Sequence, residues 1–149
     1  KNGLSVPMEN VDSLAAALPH LKVSRFDLER LERLLERVGA RPDFDRLREE
    51  LERAEVLEPE QMPPDVVTMN SRVRFADVET GQESEITLVF PRHADAEQGR
   101  VSILAPIGTA LLGLSIGATI EWPVPDGRTR RLRVVAITYQ PEAAGDTHL

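Results

Sequence analysis

SRFDLERLERLLERVGARPDFDRLREELERAEVL, residues 24–57, decides the architecture. Its first half places Leu28, Leu31, Leu35 and Val38 at spacings of three, four and three, the apolar seam of a helix that packs on another helix. Ser24 is the expected N-cap, Asp27 puts a carboxylate in the first turn, and Gly39 suits the stop. The second half repeats the pattern with Phe44, Leu47, Leu51 and Ala54, and Asp43 is its expected cap. Only Gly39 to Asp43 separate the seams, a length that makes neighbouring helices antiparallel. Outside the seams the charges fall at i,i+4: Arg25–Glu29, Glu29–Arg33, Arg48–Glu52 and Glu49–Arg53. Together they predict a solvated antiparallel hairpin standing away from a globular body. A helix of about 15 residues is only about 22 Å long, so the hairpin is stubby.

Working outward, residues 1–23 read as a flexible leader, with a few helical residues around Val11–Leu18. The hairpin occupies 24–58. PEQMPPD (59–65), with three prolines, serves as a linker. Residues 66–149 then read as strands. VVTMNSRVRF alternates, with Val67, Met69, Ser71, Val73 and Phe75 on one face, and ESEITLVF repeats the scheme with Ile86, Leu88 and Phe90. Val101 and Ile103 fit a third strand. Pro106 and Gly108 precede a short helical turn, Thr109 to Leu112, closed by Gly113. TIEWPVP and RTRRLRVVAITY flank Asp126-Gly127, a strong hairpin turn. The class is α+β, with an antiparallel sheet and one short helix.

Composition narrows the function. Of 149 residues, 41% are hydrophobic and 29% charged, the balance of a folded chain. One Trp, one Tyr and four Phe leave few rings on which single-stranded nucleic acid could stack. A net charge of −7 makes duplex DNA and anionic lipid poor partners. There is no cysteine, hence no disulfide, thiolate nucleophile or Cys-based zinc site. No uncharged run approaches a membrane span, and the leader lacks the basic start of a secretory signal, so cytoplasm is the expected location. His20, His93 and His148 have no second ligand at helical spacing. Phosphate-binding glycine loops and nucleophile elbows are absent, and Gly113 and Gly117 in LLGLSIG are explained by turning and close packing. Neither an enzyme nor a resident metal, cofactor or small-molecule substrate is expected.

Three groups compete as functional candidates. Asp43 and Asp45 near the hairpin tip could hold Mg²⁺, but capping and the helix dipole already account for both. Arg128, Arg130, Arg131 and Arg133 form the one basic cluster in the linear sequence; they could meet an acidic partner, or simply keep a hairpin edge solvated. Leu104, Ala105, Pro106 and Ile107, where a strand turns into the short helix, become a docking patch for another protein if Leu104 or Ile107 is exposed.

PEQMPPDVVTMNSRVRF, VSILAPIGTALLGLSIGATIEW and the ending ITYQPEAAGDTHL closely resemble the Rnk family, the regulators of nucleoside diphosphate kinase, within the wider Gre superfamily of transcription factors. The resemblance covers roughly Val23 to Leu149. It implies a coiled-coil hairpin, an FKBP-like C-terminal domain, and binding to RNA polymerase at the rim of its secondary channel through that domain. In Gre cleavage factors the strand-to-helix junction reads acidic or amide residue, Ser, Pro; here it reads Leu104, Ala105, Pro106, and only the proline is kept. Gre factors also carry tip acids on a considerably longer hairpin that reaches the catalytic metal. Asp43 and Asp45 lie on helices too short for that reach, which implies a regulator that competes for the docking site without stimulating transcript cleavage. Any effect on the kinase would be indirect, through gene expression. The alternatives are a true cleavage activator, or a prolyl isomerase or chaperone-like FKBP domain, although the scattered Phe75, Phe90, Trp122 and Tyr139 make a poor isomerase pocket.

Overall fold

Residues 21–123 and 127–146 are described by the computed structural model. Strand β1 (Lys22–Ser24) runs directly into helix α1 (Arg25–Val38). Ser24 is extended, and its hydroxyl accepts the Asp27 N–H at 3.0 Å, satisfying an otherwise orphan amide of the first turn. Gly39, at φ 81°, ends the helix and donates its N–H to the Leu35 carbonyl at 3.1 Å.

The return helix differs from expectation. A 3₁₀ turn (Pro42–Phe44) occupies the place where Asp43 was expected to cap, and helix α2 covers only Asp45–Glu52. Neither start has a side-chain cap; Pro42, with its fixed φ, begins the turn instead. Arg48 closes the tip by donating to the carbonyl of Leu35, at 3.2 Å, which also accepts the Gly39 N–H, and to the carbonyl of Gly39. Fourteen residues thus face eight, and the two helices share less than the full seam that the spacing suggested. A simple hairpin would bring the chain back antiparallel. Arg53 and Ala54 reorient it, so strand β2 (Glu55–Leu57) pairs with β1 in parallel, Val23 opposite Val56.

The rest forms a five-stranded sheet from β3 (Arg72–Asp77), β4 (Glu83–Val89), β5 (Arg100–Ser102), β6 (Thr119–Pro123) and β7 (Thr129–Tyr139), in the order β5-β4-β3-β7-β6. It is mixed rather than wholly antiparallel: β5 lies parallel to β4, reached through 3₁₀ turns at Pro91–His93 and Ala96–Gln98. The hairpin of β6 and β7 forms as expected, Pro123 opposite Thr129, while Asp126 of its turn lies outside the described residues. The strand foreseen from Val67 starts only at Arg72. Thr68 and Ser71 bond each other locally, Thr68 N–H to Ser71 Oγ at 2.9 Å and Ser71 N–H to Thr68 O at 3.0 Å, and Asn70 takes a left-handed φ of 67°. Val66 to Met69 are therefore all buried, where a strand would have exposed alternate residues.

Helix α3 (Pro106–Leu111) begins three residues before the predicted turn, with Pro106 at its first position. Gly108 packs so tightly that a Cβ there would lie 2.2 Å from the Ser102 carbonyl oxygen. A further helix, α4 (Pro141–Ala144), was not foreseen; the Gln140 side chain caps it through the Ala143 N–H at 3.2 Å and donates to the carbonyls of Pro63 (2.8 Å) and Val66 (2.7 Å). Segment 59–65 is thereby tied down, with Pro59 and Met62 buried.

One apolar cluster joins both regions. Leu31, Leu34 and Leu35 of α1 and Leu47 and Leu51 of α2 share it with Val67, Met69, Leu88, Ile103 and Val134. Leu34, outside the predicted seam, widens the buried face of α1 beyond the stripe that a helix partner alone requires. The helical pair does not stand away from the body; it packs on the sheet. Val23, at the end of the expected leader, is 1% exposed, while the helix foreseen at Val11–Leu18 lies outside the described residues. Among the described residues no helix is long and apolar enough to cross a membrane.

Candidate functional site

The junction between β5 and α3 is built by Ser102. Its carbonyl accepts the Ala105 N–H at 3.0 Å and its hydroxyl accepts the Leu104 N–H at 3.0 Å, folding the chain into a knuckle. Thr109 locks the other side by donating its hydroxyl to the Ile103 carbonyl at 2.7 Å. On this knuckle Pro106 is exposed, and Leu104, Ala105 and Ile107 are half-buried. Leu104 and Ile107 rest against the core cluster, so each divides its surface between the interior and solvent. The knuckle is a small, rigid apolar projection.

The tip acids are separate from it in sequence and in element. Asp43 sits in the 3₁₀ turn and Asp45 opens α2, both exposed. Among the described residues no group of three or more His, Cys, Asp or Glu side chains could hold a metal ion. His93 is exposed, with its Nε2 3.2 Å from Arg92 Nε; His20 and His148 lie outside the described residues. The arginines of β7 are not on a sheet edge, because β6 covers that side. Arg130 instead binds the buried Asp77 at 2.6 Å.

Sequence reasoning missed what lies between α1 and the sheet. Asp27 is 2% exposed: one carboxylate oxygen meets Arg30 at 2.5 Å and the other accepts the Met69 N–H at 3.3 Å, joining the helix to the chain entering β3. Burial first, and the nearby Glu142 second, push its carboxyl up to about 6, against the opposing pull of Arg30. Glu142 is itself held by the Thr68 hydroxyl at 2.8 Å.

Beside this contact opens a cleft of about 910 Å³. Helix α1 contributes Arg30, Arg33 and Arg37, on one face at spacings of three and four. Arg72 enters from β3, Arg92 from the turn after β4, and Arg100 from the start of β5. Leu34, Val89 and Phe90 give it an apolar part, and the Arg30 guanidinium lies 5.0 Å from the centre of the Phe90 ring. Among the described residues no carboxylate lines it. Tyr139, at its border, donates its hydroxyl to Asp146 at 2.5 Å, and that bond pushes the phenol up to about 12. The three arginines of α1 were visible as a helical stripe; their meeting with Arg72, Arg92 and Arg100 was not.

Residues 62–139 match the family model of the transcription elongation factor GreA/GreB C-terminal region, and residues 19–57 match that of the Rnk N-terminus. The regulator of nucleoside diphosphate kinase from Escherichia coli strain K12 is 44% identical over 130 residues, covering 86% of this chain and 96% of that protein. The transcription elongation factor GreA of Thermodesulfovibrio yellowstonii is 32% identical over 94 residues, 63% of this chain and 59% of that protein. Among solved structures, a prokaryotic transcription elongation factor GreA/GreB from Nitrosomonas europaea superposes with a TM-score of 0.75 at 50% identity, over 82% of this chain and all of that one. An Rnk-type N-terminus followed by a GreA/GreB-type C-terminal region thus makes this chain a member of the family of regulators of nucleoside diphosphate kinase.

Proposed function

We propose that the protein regulates transcription by docking on RNA polymerase at the rim of the secondary channel, with no catalysis of its own and no stimulation of transcript cleavage. The observation that carries this reading is the shape of the helical pair. Helix α1 has 14 residues, about 21 Å at 1.5 Å per residue, and its leucines are committed to the core shared with the sheet. An arm of that length, packed on its own domain, presents Asp43 and Asp45 close to the body rather than far down a channel. The match of residues 62–139 to the GreA/GreB C-terminal region supports the polymerase as the partner. The knuckle at Leu104, Ala105, Pro106 and Ile107 is the docking element, since its apolar side chains are held rigid and half open to solvent. The five-stranded sheet with its short helix fits the FKBP-like architecture that the resemblance implies. A cytoplasmic location follows from this reading.

The test uses purified core polymerase. The full chain is expected to bind it at micromolar concentration or better, to be displaced by a GreA-type factor, and to suppress the RNA cleavage that factor induces in stalled complexes. Pro106→Glu, at an exposed first position of α3 where an acid is compatible with the helix, should weaken binding about tenfold while leaving the fold intact. Cleaved RNA produced by this protein alone, or no association at micromolar concentration, would overturn the proposal.

A further inference from the structure

We propose that the arginine-lined cleft between α1 and the sheet binds a nucleoside di- or triphosphate, as a ligand rather than a substrate. Charge is the first argument. The chain carries 25 acidic residues against 18 Lys and Arg, yet six arginines converge on one cleft that, among the described residues, no carboxylate lines. Among the described residues Arg33, Arg37, Arg72 and Arg100 make no ion pair, whereas Arg25, Arg46, Arg74 and Arg130 elsewhere on the chain each do. Gathering like charges opposes folding, and an excess of acids was at hand to neutralise them. A bound polyanion relieves that repulsion.

Size and chemistry then select the ligand. A cleft of about 910 Å³ is at the scale of one small molecule. Guanidinium groups grip phosphate oxygens in pairs, and arginines converging from α1, β3, the Pro91–His93 turn and β5 can hold more than one phosphate. The half-buried Phe90, with Arg30 over its ring, offers an aromatic group beside the arginines, while Asn70 and Thr87, both partly open, supply hydrogen-bonding groups. An extended nucleic acid fits less well, because the overall charge of −7 repels a long polyanion and aromatic platforms are few. Because the arginines come from both the helix and the sheet, the ligand would also bridge the two regions.

The experiment is calorimetric titration of the full chain with ATP, GTP, AMP and inorganic tripolyphosphate, together with thermal unfolding in their presence. A nucleoside triphosphate is expected to bind with micromolar affinity, at least tenfold tighter than AMP and at least threefold tighter than tripolyphosphate, and to raise the unfolding temperature. Arg33→Glu with Arg37→Glu should reduce its affinity at least tenfold, and Arg72→Gln severalfold. Arg131→Glu with Arg133→Glu, exposed positions of β7 that do not line the cleft, should change it less than twofold. Circular dichroism establishes that each variant is folded. No binding at millimolar nucleotide overturns the proposal; so does equal binding of tripolyphosphate, equal loss in the β7 control, or an RNA oligonucleotide or acidic peptide that binds the cleft more than tenfold tighter than any nucleotide.

Discussion

The sheet and the helical pair treat their charges differently. Across the strands register pairs opposite charges: Arg74 meets Glu83 at 3.9 Å and Glu85 at 3.6 Å, and Arg130 meets Asp77 at 2.6 Å. Helix α1 instead turns Asp27 into the protein and presents Arg30, Arg33 and Arg37 to the cleft, where the sheet adds further arginines and, among the described residues, no acid. The two regions also differ in self-sufficiency. The sheet completes its own hydrogen-bond ladders, whereas Leu31, Leu34 and Leu35 of the helix are buried in a cluster shared with Leu88 and Val134 of the sheet and Met69 of the segment before it. Charges that serve the fold are paired locally; those left facing one another mark the place where the two regions meet.

That dependence is tested most strongly at Leu31, which is 0% exposed. Leu31→Ala should destabilise the whole protein by about 3 kcal/mol, and urea unfolding followed by helix and tryptophan signals should remain a single transition. A helical pair that melts separately would break the comparison. Gly108→Ala probes the sheet side alone. Its new methyl would strike the backbone oxygen of Ser102, so the junction must shift at a cost of about 2 kcal/mol, with loss of polymerase binding as the accompanying readout.

Asp27 sharpens the comparison through pH. Its carboxyl titrates at about 6 in the fold against an ordinary value of 3.8, so between those values the folded state binds more protons than the unfolded chain. Stability should therefore fall as pH rises from about 4 to about 6 and change little from this group above that, by about 2 kcal/mol in all. Asp27→Asn keeps an acceptor for the Met69 N–H and should flatten that window; an unchanged slope would mean that the helix contact is not where the protons are taken up. The smallest effect belongs to the tip. Asp43→Ala with Asp45→Ala, at exposed positions without capping bonds, should alter stability by no more than about 0.5 kcal/mol and leave polymerase binding intact.

What the amino-acid order determined alone is the local part of this protein. Ser24 as a cap, Gly39 as a stop, the leucine spacing of α1, the strands around Val73 and Leu88, and a short helical turn through Thr109 to Leu111 all follow from interactions within a few residues, and each is present. The α2 start failed because Pro42 makes a tighter turn than an Asp43 cap, and the strand at Val67 failed because Thr68 and Ser71 satisfy each other first. Only tertiary structure decided that β5 runs parallel to β4, that the helical pair packs on the sheet, that Asp27 is buried, and that arginines spaced from residue 30 to residue 100 line one cleft. Periodicity reports which face of an element is apolar, but the partner of that face, and the charges brought beside it, depend on contacts between segments far apart in the chain.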